Sequence, residues 1–378
     1  MPDALSSLYG GRGISLVSGR GSRVTDSEGR EYLDFFNGHG AALFGHADET
    51  LVGALVGAAG KIWSPGAGFD SPARMELADI LSGFLEGGRV FISNSGAEAI
   101  EAALKLAVAL RPKRSRILAC RRAFHGRTCG ALSLTFNPKY KTMFKILLPN
   151  VEHYNPGELA ERIDDDTAAV FIEPAQGEGG VYPLDPEVGR EISGACEKRG
   201  ALLVADEIQT GLGRCGAMLA SELVGLRPDV VCLAKGLAGG LPIGATIWKG
   251  ALGDFPSHTH GSTYGGNDIS ASVGVAALKL IKEKNYTAHA VKIGGELRSA
   301  LSALKEEAPV IKEVRGIGLL NGVEVEVPSL DLVKSLQKGG LLCLAAGPRV
   351  VRFLPSFAAS SEDVSEAVSI FGNLLNFH

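Results

Sequence analysis

The sequence predicts an α/β fold built on a mostly parallel sheet with helices packed on both faces. From about residue 49 the chain alternates between helical patterns and short, continuous apolar runs. Continuous rather than alternating apolar runs are typical of parallel strands that are buried on both sides. We predict five such strands, at residues 90–92, 117–119, 169–172, 202–204 and 230–233. The length of 378 residues favours two domains in one chain.

The two ends of the chain predict a smaller set of elements. Near the amino terminus, three short strands separated by glycine-containing turns are predicted at residues 14–17, 23–24 and 32–33. So small an antiparallel unit cannot bury a core alone and has to pack against other parts of the chain. Beyond residue 268 we predict two long helices at 269–283 and 287–305, a strand at 318–325 and a final helix from Glu362.

Composition and charge argue against several classes of protein. A formal net charge of -4 and the lack of a long lysine and arginine block argue against a nucleic-acid partner. No apolar stretch approaches the roughly 20 residues of a membrane span, and residues 1–10 show no secretory signal. The six cysteines have no C-x-x-C spacing, which favours a reduced, cytoplasmic setting. His258 and His260 lack a third ligand at metal spacing, so we predict no metal site.

A short polar loop follows each of the five predicted strands at once. In open parallel sheets, ligands bind outside the carboxyl ends of the strands. We therefore expect these loops to converge on one crevice. They are residues 94–97, 124–127, 173–178, 206–209 and 235–236.

Two of these strand ends carry a lysine and a carboxylate. Lys235 follows the apolar run 230–234, and a lysine at the mouth of a buried strand can lose its proton and attack a carbonyl. Asp206 follows the run 202–205 and can serve as the counter-ion of a protonated ring nitrogen. Taken singly, a surface lysine and a helix N-cap are the alternatives. Together the two residues predict a site for pyridoxal 5'-phosphate (PLP).

A helix is predicted to begin at Gly96 and Ala97, directly after Ser95, because the apolar positions that follow recur with helical period. Free N–H groups at a helix start bind phosphate, and small residues let the anion come close. The pattern also fits an ordinary capped helix. Since Lys235 and Asp206 are present elsewhere in the chain, we favour a phosphate site formed by Ser95, Gly96 and Ala97.

Two arginines are candidates for binding carboxylates. Arg127 follows the strand-end segment 124–126, and a guanidinium fork can hold a carboxylate through two hydrogen bonds. A solvated arginine is the alternative at this position. Arg352 lies within the apolar run 350–354, where a charged side chain requires a partner.

These features resemble the class III, fold type I aminotransferases, which depend on PLP. The resemblance spans nearly the whole chain and is closest to the acetylornithine aminotransferase branch. Within it, the chain is similar to archaeal and thermophile members that act in lysine and arginine biosynthesis on substrates held by a small acidic amino-group carrier protein. The segments that carry the resemblance are residues 8–10, 124–128, 260–267 and 352–356.

The resemblance implies a large domain with a seven-stranded, mostly parallel sheet between helices and a smaller α+β domain built from both chain ends. We expect residues 49–262 to form the large PLP-binding domain, with residues 1–48 and 263–378 forming the smaller one. The resemblance also implies a homodimer with shared active sites, because Thr263 would contact the cofactor phosphate of the neighbouring subunit.

Several roles are implied by the resemblance alone. Lys235 would bond to the cofactor aldehyde and, once displaced, carry a proton, while Asp206 would pair with the ring nitrogen. Gln209 would donate to the phenolic oxygen of the ring, and Phe124 would stack on the ring face, although a core aromatic is the alternative for Phe124. Further residues expected beside the cofactor or the substrate are Glu207, Ile208 and Ser262.

Glu178 is implied to switch between two positions. With the semialdehyde or ω-amine substrate, Glu178 would neutralise Arg352 while Arg127 holds the distant carboxylate. With glutamate, Glu178 would swing away, and the two arginines would hold both carboxylates of the diacid. The glycines at 177, 179 and 180 would permit that movement.

The expected activity is exchange of the amino group of glutamate, which becomes 2-oxoglutarate, with the ω-semialdehyde of an amino acid modified by a small acyl group or by the carrier protein. Ornithine or 4-aminobutyrate aminotransferase, an aminomutase of the same fold and a non-catalytic binding protein are the alternatives. A dinucleotide-dependent oxidoreductase is disfavoured, since no G-x-G-x-x-G follows a strand. His39, Asp268 and Cys215 depart from the family pattern, and His39 could alter the choice of acyl group.

Overall fold

The computed structural model describes residues 4, 6, 8, 10–66 and 68–375, so Tyr9 of the segment 8–10 lies outside the described residues. The strands are β1 (Leu16–Arg20), β2 (Arg23–Asp26), β3 (Glu31–Asp34), β4 (Arg89–Ser93), β5 (Arg116–Cys120), β6 (Val151–Tyr154), β7 (Thr167–Ile172), β8 (Ala175–Gln176), β9 (Tyr182–Pro183), β10 (Leu202–Asp206), β11 (Val230–Leu233), β12 (Gly244–Trp248), β13 (Ile311–Ile317), β14 (Leu320–Val325), β15 (Leu341–Leu342), β16 (Leu344–Ala345) and β17 (Val350–Phe353).

The α-helices are α1 (Glu49–Ala59), α2 (Pro72–Ser82), α3 (Gly96–Leu110), α4 (Cys129–Leu134), α5 (Leu159–Arg162), α6 (Pro186–Arg199), α7 (Asp268–Glu283), α8 (Tyr286–Glu307), α9 (Ser329–Lys338) and α10 (Ser361–Leu375). A further short turn, Asn37–Gly40, has left-handed backbone angles at each of its four residues. None of the described helices combines the length and the hydropathy that a bilayer crossing requires.

A seven-stranded sheet forms the centre of the molecule, with the strand order β4-β12-β11-β10-β7-β5-β6. Strands β6, β5, β7, β10 and β11 pair in parallel, whereas β12 runs antiparallel to both of its neighbours. The mostly parallel sheet and its five predicted strands are therefore confirmed. The sequence did not reveal β6 and β12. Strand β6 lies at the sheet edge and contains polar residues, and β12 follows a glycine- and proline-rich stretch that reads as a loop.

Alternate residues of the central strands pack into two separate apolar clusters, one on each face of the sheet. Phe171 and Val204 contact a cluster that includes residues of α3. Val170 and Leu203 contact a second cluster that includes Ile192 of α6. Since side chains alternate between faces along a strand, a strand covered on both sides must be apolar at every position. This explains the continuous apolar runs in the sequence.

Two four-stranded sheets and the small hairpin of β8 and β9 complete the fold. One has the order β1-β2-β3-β15, so that a strand from the carboxyl-terminal part of the chain pairs in parallel with β3. The other has the order β13-β14-β17-β16 and is antiparallel. The prediction that both chain ends build the smaller part of the molecule is confirmed, whereas the domain boundaries at residues 48 and 262 stay a prediction.

Two strand predictions need correction. The predicted strand 14–17 begins instead at Leu16 and continues to Arg20. The predicted strand 318–325 begins at Leu320, because Gly318 has a φ of +52° and forms the turn between β13 and β14. Strand β13 was missed, since its residues alternate irregularly between buried and exposed positions.

Helix α8 packs closely on this turn. A Cβ atom added at Gly294 would lie 1.8 Å from the carbonyl oxygen of Gly318, whereas one added at Gly295 meets nothing within 4 Å. Only glycine therefore fits at position 294, and the neighbouring glycine is open to substitution.

We expect Gly294→Ala to lower the free energy of unfolding by about 1–3 kcal/mol or more, because backbone on both sides has to move. The matched control, Gly295→Ala, should raise it by about 0.5–1 kcal/mol through the better helix propensity of alanine. Thermal or urea unfolding of the purified variants measures both. Equal effects of the two substitutions would contradict the packing of α8 on Gly318.

Candidate active site

A cavity of about 370 Å³ lies beyond the carboxyl ends of the central strands. Residues from all five strand-end loops line it, together with Ala41 and the segment 240–243. The parallel direction of β5, β7, β10 and β11 brings these loops to one edge of the sheet. The convergence expected from the sequence is present in the structure.

Lys235 follows β11 and begins a short 3-10 turn, Lys235–Ala238, with a φ of 43°. Burial lowers the pKa of its ammonium to about 8, although the charge of Glu178 acts in the opposite direction. Arg352 contributes a further lowering, and Asp206 opposes it. Because the pKa is close to neutrality, a useful fraction of the amine is uncharged and nucleophilic under ordinary conditions.

Asp206 is the last residue of β10 and is 4% exposed. One carboxylate oxygen lies 2.7 Å from Nδ1 of His125, and the other accepts the backbone N–H of Ile208 at 3.1 Å. Burial acts to lower the pKa of His125, but the hydrogen bond and charge of Asp206, with the charge of Glu173, raise it overall. Sequence reasoning gave His125 no role, because no local signal shows which buried group a histidine meets.

Glu173 is a second buried group that the sequence did not single out as functional. Its carboxylate accepts the backbone N–H groups of Phe124 at 2.9 Å and Gly177 at 3.3 Å. Burial raises the pKa of Glu173 to about 7, while His125 and the two amides act against this rise. Glu173 thereby holds the backbone of two cavity loops in place.

The start of α3 provides an anion site in the same cavity. Ser95 caps the helix by accepting the N–H of Glu98 at 3.2 Å. The amides of Gly96 and Ala97 belong to the first turn, where no intrahelical acceptor is available. A Cβ atom at position 96 would lie 2.9 Å from the side chain of Ile208, so only glycine lets the helix start come so near that wall. Free amides at this helix start fit a phosphate.

Arg352, Glu178 and Gln209 form a compact buried group. Arg352 of β17 is 0% exposed; its Nη2 donates to Glu178 at 2.5 Å and its Nη1 donates to Gln209 Oε1 at 2.9 Å. Burial acts to raise the pKa of Glu178, but Arg352 and Lys235 lower it overall. A Cβ atom at Gly177 would lie 1.7 Å from Gln209 Oε1, so a larger residue there would push the Gln209 amide out of its contact with Arg352. The pairing implied by the resemblance is present in the structure.

Arg127 lines the cavity and lies over two aromatic rings. Its guanidinium carbon is 3.5 Å from the ring centroid of Tyr140 and 5.5 Å from that of Phe124. Stacking holds the planar guanidinium in one orientation while its N–H groups remain able to donate. Such an arginine is suited to bind a carboxylate that enters the cavity.

Four predicted site residues lie outside the lining of the cavity. One is Arg352, which reaches it only through its contacts with Glu178 and Gln209. Glu207 is buried elsewhere, where its carboxylate accepts from Ser221 and Thr210, so the structure does not bring its side chain to the cofactor site. Ser262 accepts from Asn94 of the cavity wall at 3.0 Å. Thr263 is exposed, and its expected contact with a neighbouring subunit stays a prediction.

His39 lies in the left-handed turn and contacts the ring of Phe36, with ring centroids 4.7 Å apart. Burial lowers the pKa of His39, and Arg352 and Lys235 add to the lowering, while Glu178 opposes it. An effect of His39 on the acyl group of the substrate stays a prediction. Within the described part of the chain, no group of three or more histidine, cysteine, aspartate or glutamate side chains could hold a metal ion.

The chain belongs to the aminotransferase class-III family, whose sequence model matches residues 11–375. It is 40% identical to the LysW-aminoadipate semialdehyde transaminase of Deinococcus radiodurans, over 98% of this chain and 88% of the relative. It is 38% identical to the acetylornithine aminotransferase of Bacillus cereus, over 98% of this chain and 97% of the relative. The fold matches ornithine aminotransferase from Toxoplasma gondii with a TM-score of 0.94 at 31% identity, covering 99% of this chain and 92% of that one.

Class III aminotransferases depend on PLP, and the predicted cofactor and enzyme class are thereby confirmed. The residues of this cavity fit that cofactor. A half-buried lysine of lowered pKa, a buried carboxylate and a set of free helix-start amides line one cavity. These groups match the aldehyde, the ring nitrogen and the phosphate of PLP.

The lowered pKa of Lys235 makes a testable contribution to stability. Below about pH 8 the cofactor-free protein has to hold a buried ammonium, and Lys235→Met, of similar length, should stabilise it there by roughly 2–3 kcal/mol. Between pH 8 and 10.5 the folded protein loses this proton while the unfolded chain keeps it, so the wild type gains stability as pH rises. Thermal unfolding of the cofactor-free wild type and Lys235→Met should therefore show a stability difference between them that becomes smaller as the pH rises. A difference that does not change from pH 7 to pH 10 would contradict the buried amine.

Proposed function

We propose that this aminotransferase exchanges the amino group between glutamate or 2-oxoglutarate and the ω-semialdehyde of an N-modified amino acid, in lysine or arginine biosynthesis. The names of the relatives from Deinococcus radiodurans and Bacillus cereus support this substrate class. The observation that carries the proposal is the 2.5 Å contact of Glu178 with the buried Arg352, because Glu178 lines the same cavity as Lys235 and Arg127.

PLP supplies an aldehyde that bonds to amines and a ring that accepts electrons from the reacting carbon. The residues of this chain hold it and supply the proton chemistry. Ser95, Gly96 and Ala97 would bind the phosphate, and Asp206, held by His125, would keep the ring nitrogen protonated.

Three more residues would surround the cofactor in this proposal. Phe124 covers one face, and Glu173 holds the backbone of Phe124 in place. Gln209 uses Oε1 to accept from Arg352, which leaves its amide N–H groups to donate to the phenolic oxygen. Ile208 contacts the start of α3 and closes the wall beside the phosphate.

Lys235 is the proton carrier. Its amine would hold the cofactor, and a pKa of about 8 suits a group that also takes and returns a proton near neutral pH. Lys235 starts a short turn at the end of a buried strand and lines the cavity, so the sheet fixes the position from which its side chain acts.

The two arginines and Glu178 explain how one site accepts two different substrates. Arg127 binds the carboxylate far from the reacting carbon in both half-reactions. Arg352 binds the α-carboxylate of glutamate, which displaces Glu178. With the N-modified substrate, whose reacting end has no carboxylate, Glu178 stays paired and neutralises the buried guanidinium, as the ion pair in the structure allows.

Free ornithine is the second candidate substrate, because the fold match to ornithine aminotransferase is close. Steady-state rates with N-acetylornithine, ornithine and 4-aminobutyrate separate the possibilities, and we expect N-acetylornithine to be the best of the three. A carrier-protein-linked substrate is a further proposal. Mass spectrometry of the products formed with and without such a carrier protein tests it.

A homodimer in the cytoplasm is also part of the proposal. Thr263 is exposed and follows Ser262, which accepts from Asn94 of the cavity wall, and this position suits a contact with the phosphate of a partner subunit. Several large apolar side chains are strongly exposed, which is typical of surfaces that become covered by another chain; they include Phe69, Met143 and Ile146.

The role of Lys235 can be tested directly. We expect Lys235→Ala to abolish the visible absorbance band of the bound cofactor and to lower turnover by several orders of magnitude, because it removes both the bond to the cofactor and the proton carrier. Lys279→Ala is a suitable control, since Lys279 pairs with Glu76 on an exposed helix surface. Retention of the band and of turnover in Lys235→Ala would refute the assignment.

The role of Glu178 predicts opposite effects on the two substrates. Glu178→Gln keeps the shape but loses the charge that competes for Arg352. The KM for glutamate should therefore fall, and the KM for N-acetylornithine should rise, each by about three- to tenfold. Initial-rate kinetics with both amino donors measure the two changes. A change in the same direction for both substrates would contradict the exchange of partners at Arg352.

A further inference from the structure

Glu178 lies in the loop of a very small hairpin. Strands β8 and β9 have two residues each, and Gln176 pairs with Tyr182 at the base of the loop 177–181. The N–H of Val181 donates to the carbonyl of Gln176 at 2.9 Å. A two-stranded hairpin is marginally stable alone, so the surroundings have to determine the position of Glu178.

Arg315 of β13 binds this loop directly after Glu178. Its side chain is 7% exposed, and its Nε donates to the carbonyls of Gly180 at 2.9 Å and Val181 at 3.1 Å. Two carboxylates, those of Glu313 and Glu324, accept from Nη1 at 2.7 Å and hold the guanidinium in place. Hydrogen bonds from a charged donor are stronger than neutral ones.

The backbone is strained at Val181, one of the two residues that Arg315 binds. Gly180 has a φ of +117° and Val181 has a φ of 58°, in a region that a β-branched residue rarely adopts. Such strain persists only where the surrounding contacts outweigh it. The two hydrogen bonds from Arg315 are contacts of this kind.

The hairpin is also held through the ring of Tyr182. The guanidinium carbon of Arg315 lies 3.9 Å from the ring centroid, and that of Arg122 lies 4.4 Å from it. A Cβ atom at Gly179 would lie 2.7 Å from the carbonyl oxygen of Arg122, so the loop follows the chain closely there. Arg122, in the segment after β5, and Arg315, in the sheet β13-β14-β17-β16, therefore both hold the hairpin in place.

The register of the sheet β13-β14-β17-β16 places Arg315 and Arg352 in one row across the strands. Arg315 pairs with Gly322, and Gly322 pairs with Arg352 on the next strand. Residues directly opposite each other in a sheet project from the same face. A Cβ atom at Gly322 would lie 2.8 Å from Cβ of Val181, so the loop crosses the row between the two arginines.

We propose that Arg315 is a positioning residue that sets how firmly Glu178 rests on Arg352, and so sets the balance between the two substrates of the site. The proposal rests on the exchange of partners at Arg352 in the proposed function. Arg315 holds residues 180–181 while the glycines at 177 and 179 leave Glu178 free to move about this anchor. A held loop makes the paired state more favourable, because less freedom is lost on pairing.

A weaker anchor should favour glutamate, since its carboxylate then displaces Glu178 more readily. We expect Arg315→Met to raise the ratio of kcat/KM for glutamate to that for N-acetylornithine by about tenfold, a usual size for coupling between two sites. Arg315→Lys, which keeps the charge but lacks the fork, should shift the ratio in the same direction. Gly322→Ala places a methyl group against Val181 without removing a charge, and it should also raise this ratio.

Two controls separate positioning from a general structural role. Arg298→Met removes hydrogen bonds to Gly318 and Asn321 at the end of the same strand pair, away from the Glu178 loop, and should leave the ratio unchanged. In a Glu178→Gln background, Arg315→Met should have no further effect on the ratio. Tyr182→Phe keeps the aromatic face and should behave as the wild type, whereas Tyr182→Leu should shift the ratio towards glutamate.

The wild-type enzyme is measured first with glutamate and N-acetylornithine. If it exchanges neither amino group, the proposed function fails and this inference fails with it. If the wild type is active and the Arg315 variants change both kcat/KM values equally, the inference alone is overturned. A shift of the same size in the Glu178→Gln background would also overturn it. Should Arg315→Met fail to fold, Arg315→Lys and Gly322→Ala decide the question by the same ratio.

Discussion

The common direction of the central strands determines where the reactive groups of this protein lie. Strands β5, β7, β10 and β11 are parallel, so the segments that follow them leave the sheet at one edge. Since β10 and β11 are neighbours, with Asp206 in register with Cys232, the carboxylate and the nearby Lys235 reach two walls of one cavity. The apolar residues that build the sheet thereby also bring together an amine and a carboxylate that are distant in the sequence.

Burial gives these groups their chemistry, and the charged side chains of Arg352 and Asp206 each have a partner. Desolvation in the cavity lowers the pKa of Lys235. The guanidinium of Arg352 can be fully buried because Glu178 and Gln209 accept hydrogen bonds from it. Asp206 is similarly paired with His125. The partners differ in one respect. Glu178 lies in a glycine-rich loop and is 29% exposed, so a substrate carboxylate can take its place. The His125–Asp206 pair is nearly closed to solvent and suits a permanent role.

The sequence alone predicted much of the fold and most of the cavity, for physical reasons that also explain what it missed. Long apolar runs identify buried parallel strands, and the rule that ligands bind at their carboxyl ends singled out Lys235 and Asp206. Contacts between segments distant in the sequence depend on strand register, which no local pattern encodes. The His125–Asp206 pair and the row that joins Arg315 to Arg352 are of this type. Strand β12, the one antiparallel member of the large sheet, was missed because it follows a glycine- and proline-rich loop.

The central claim is that one lysine at the end of β11 bonds to the aldehyde of the cofactor. Borohydride reduction of the purified enzyme makes such a bond permanent, and peptide mass spectrometry then locates the added mass. The account predicts a single modified peptide, with the pyridoxyl group on Lys235. A stoichiometric adduct on any other lysine, or an enzyme that is active and carries no adduct after reduction, would contradict it.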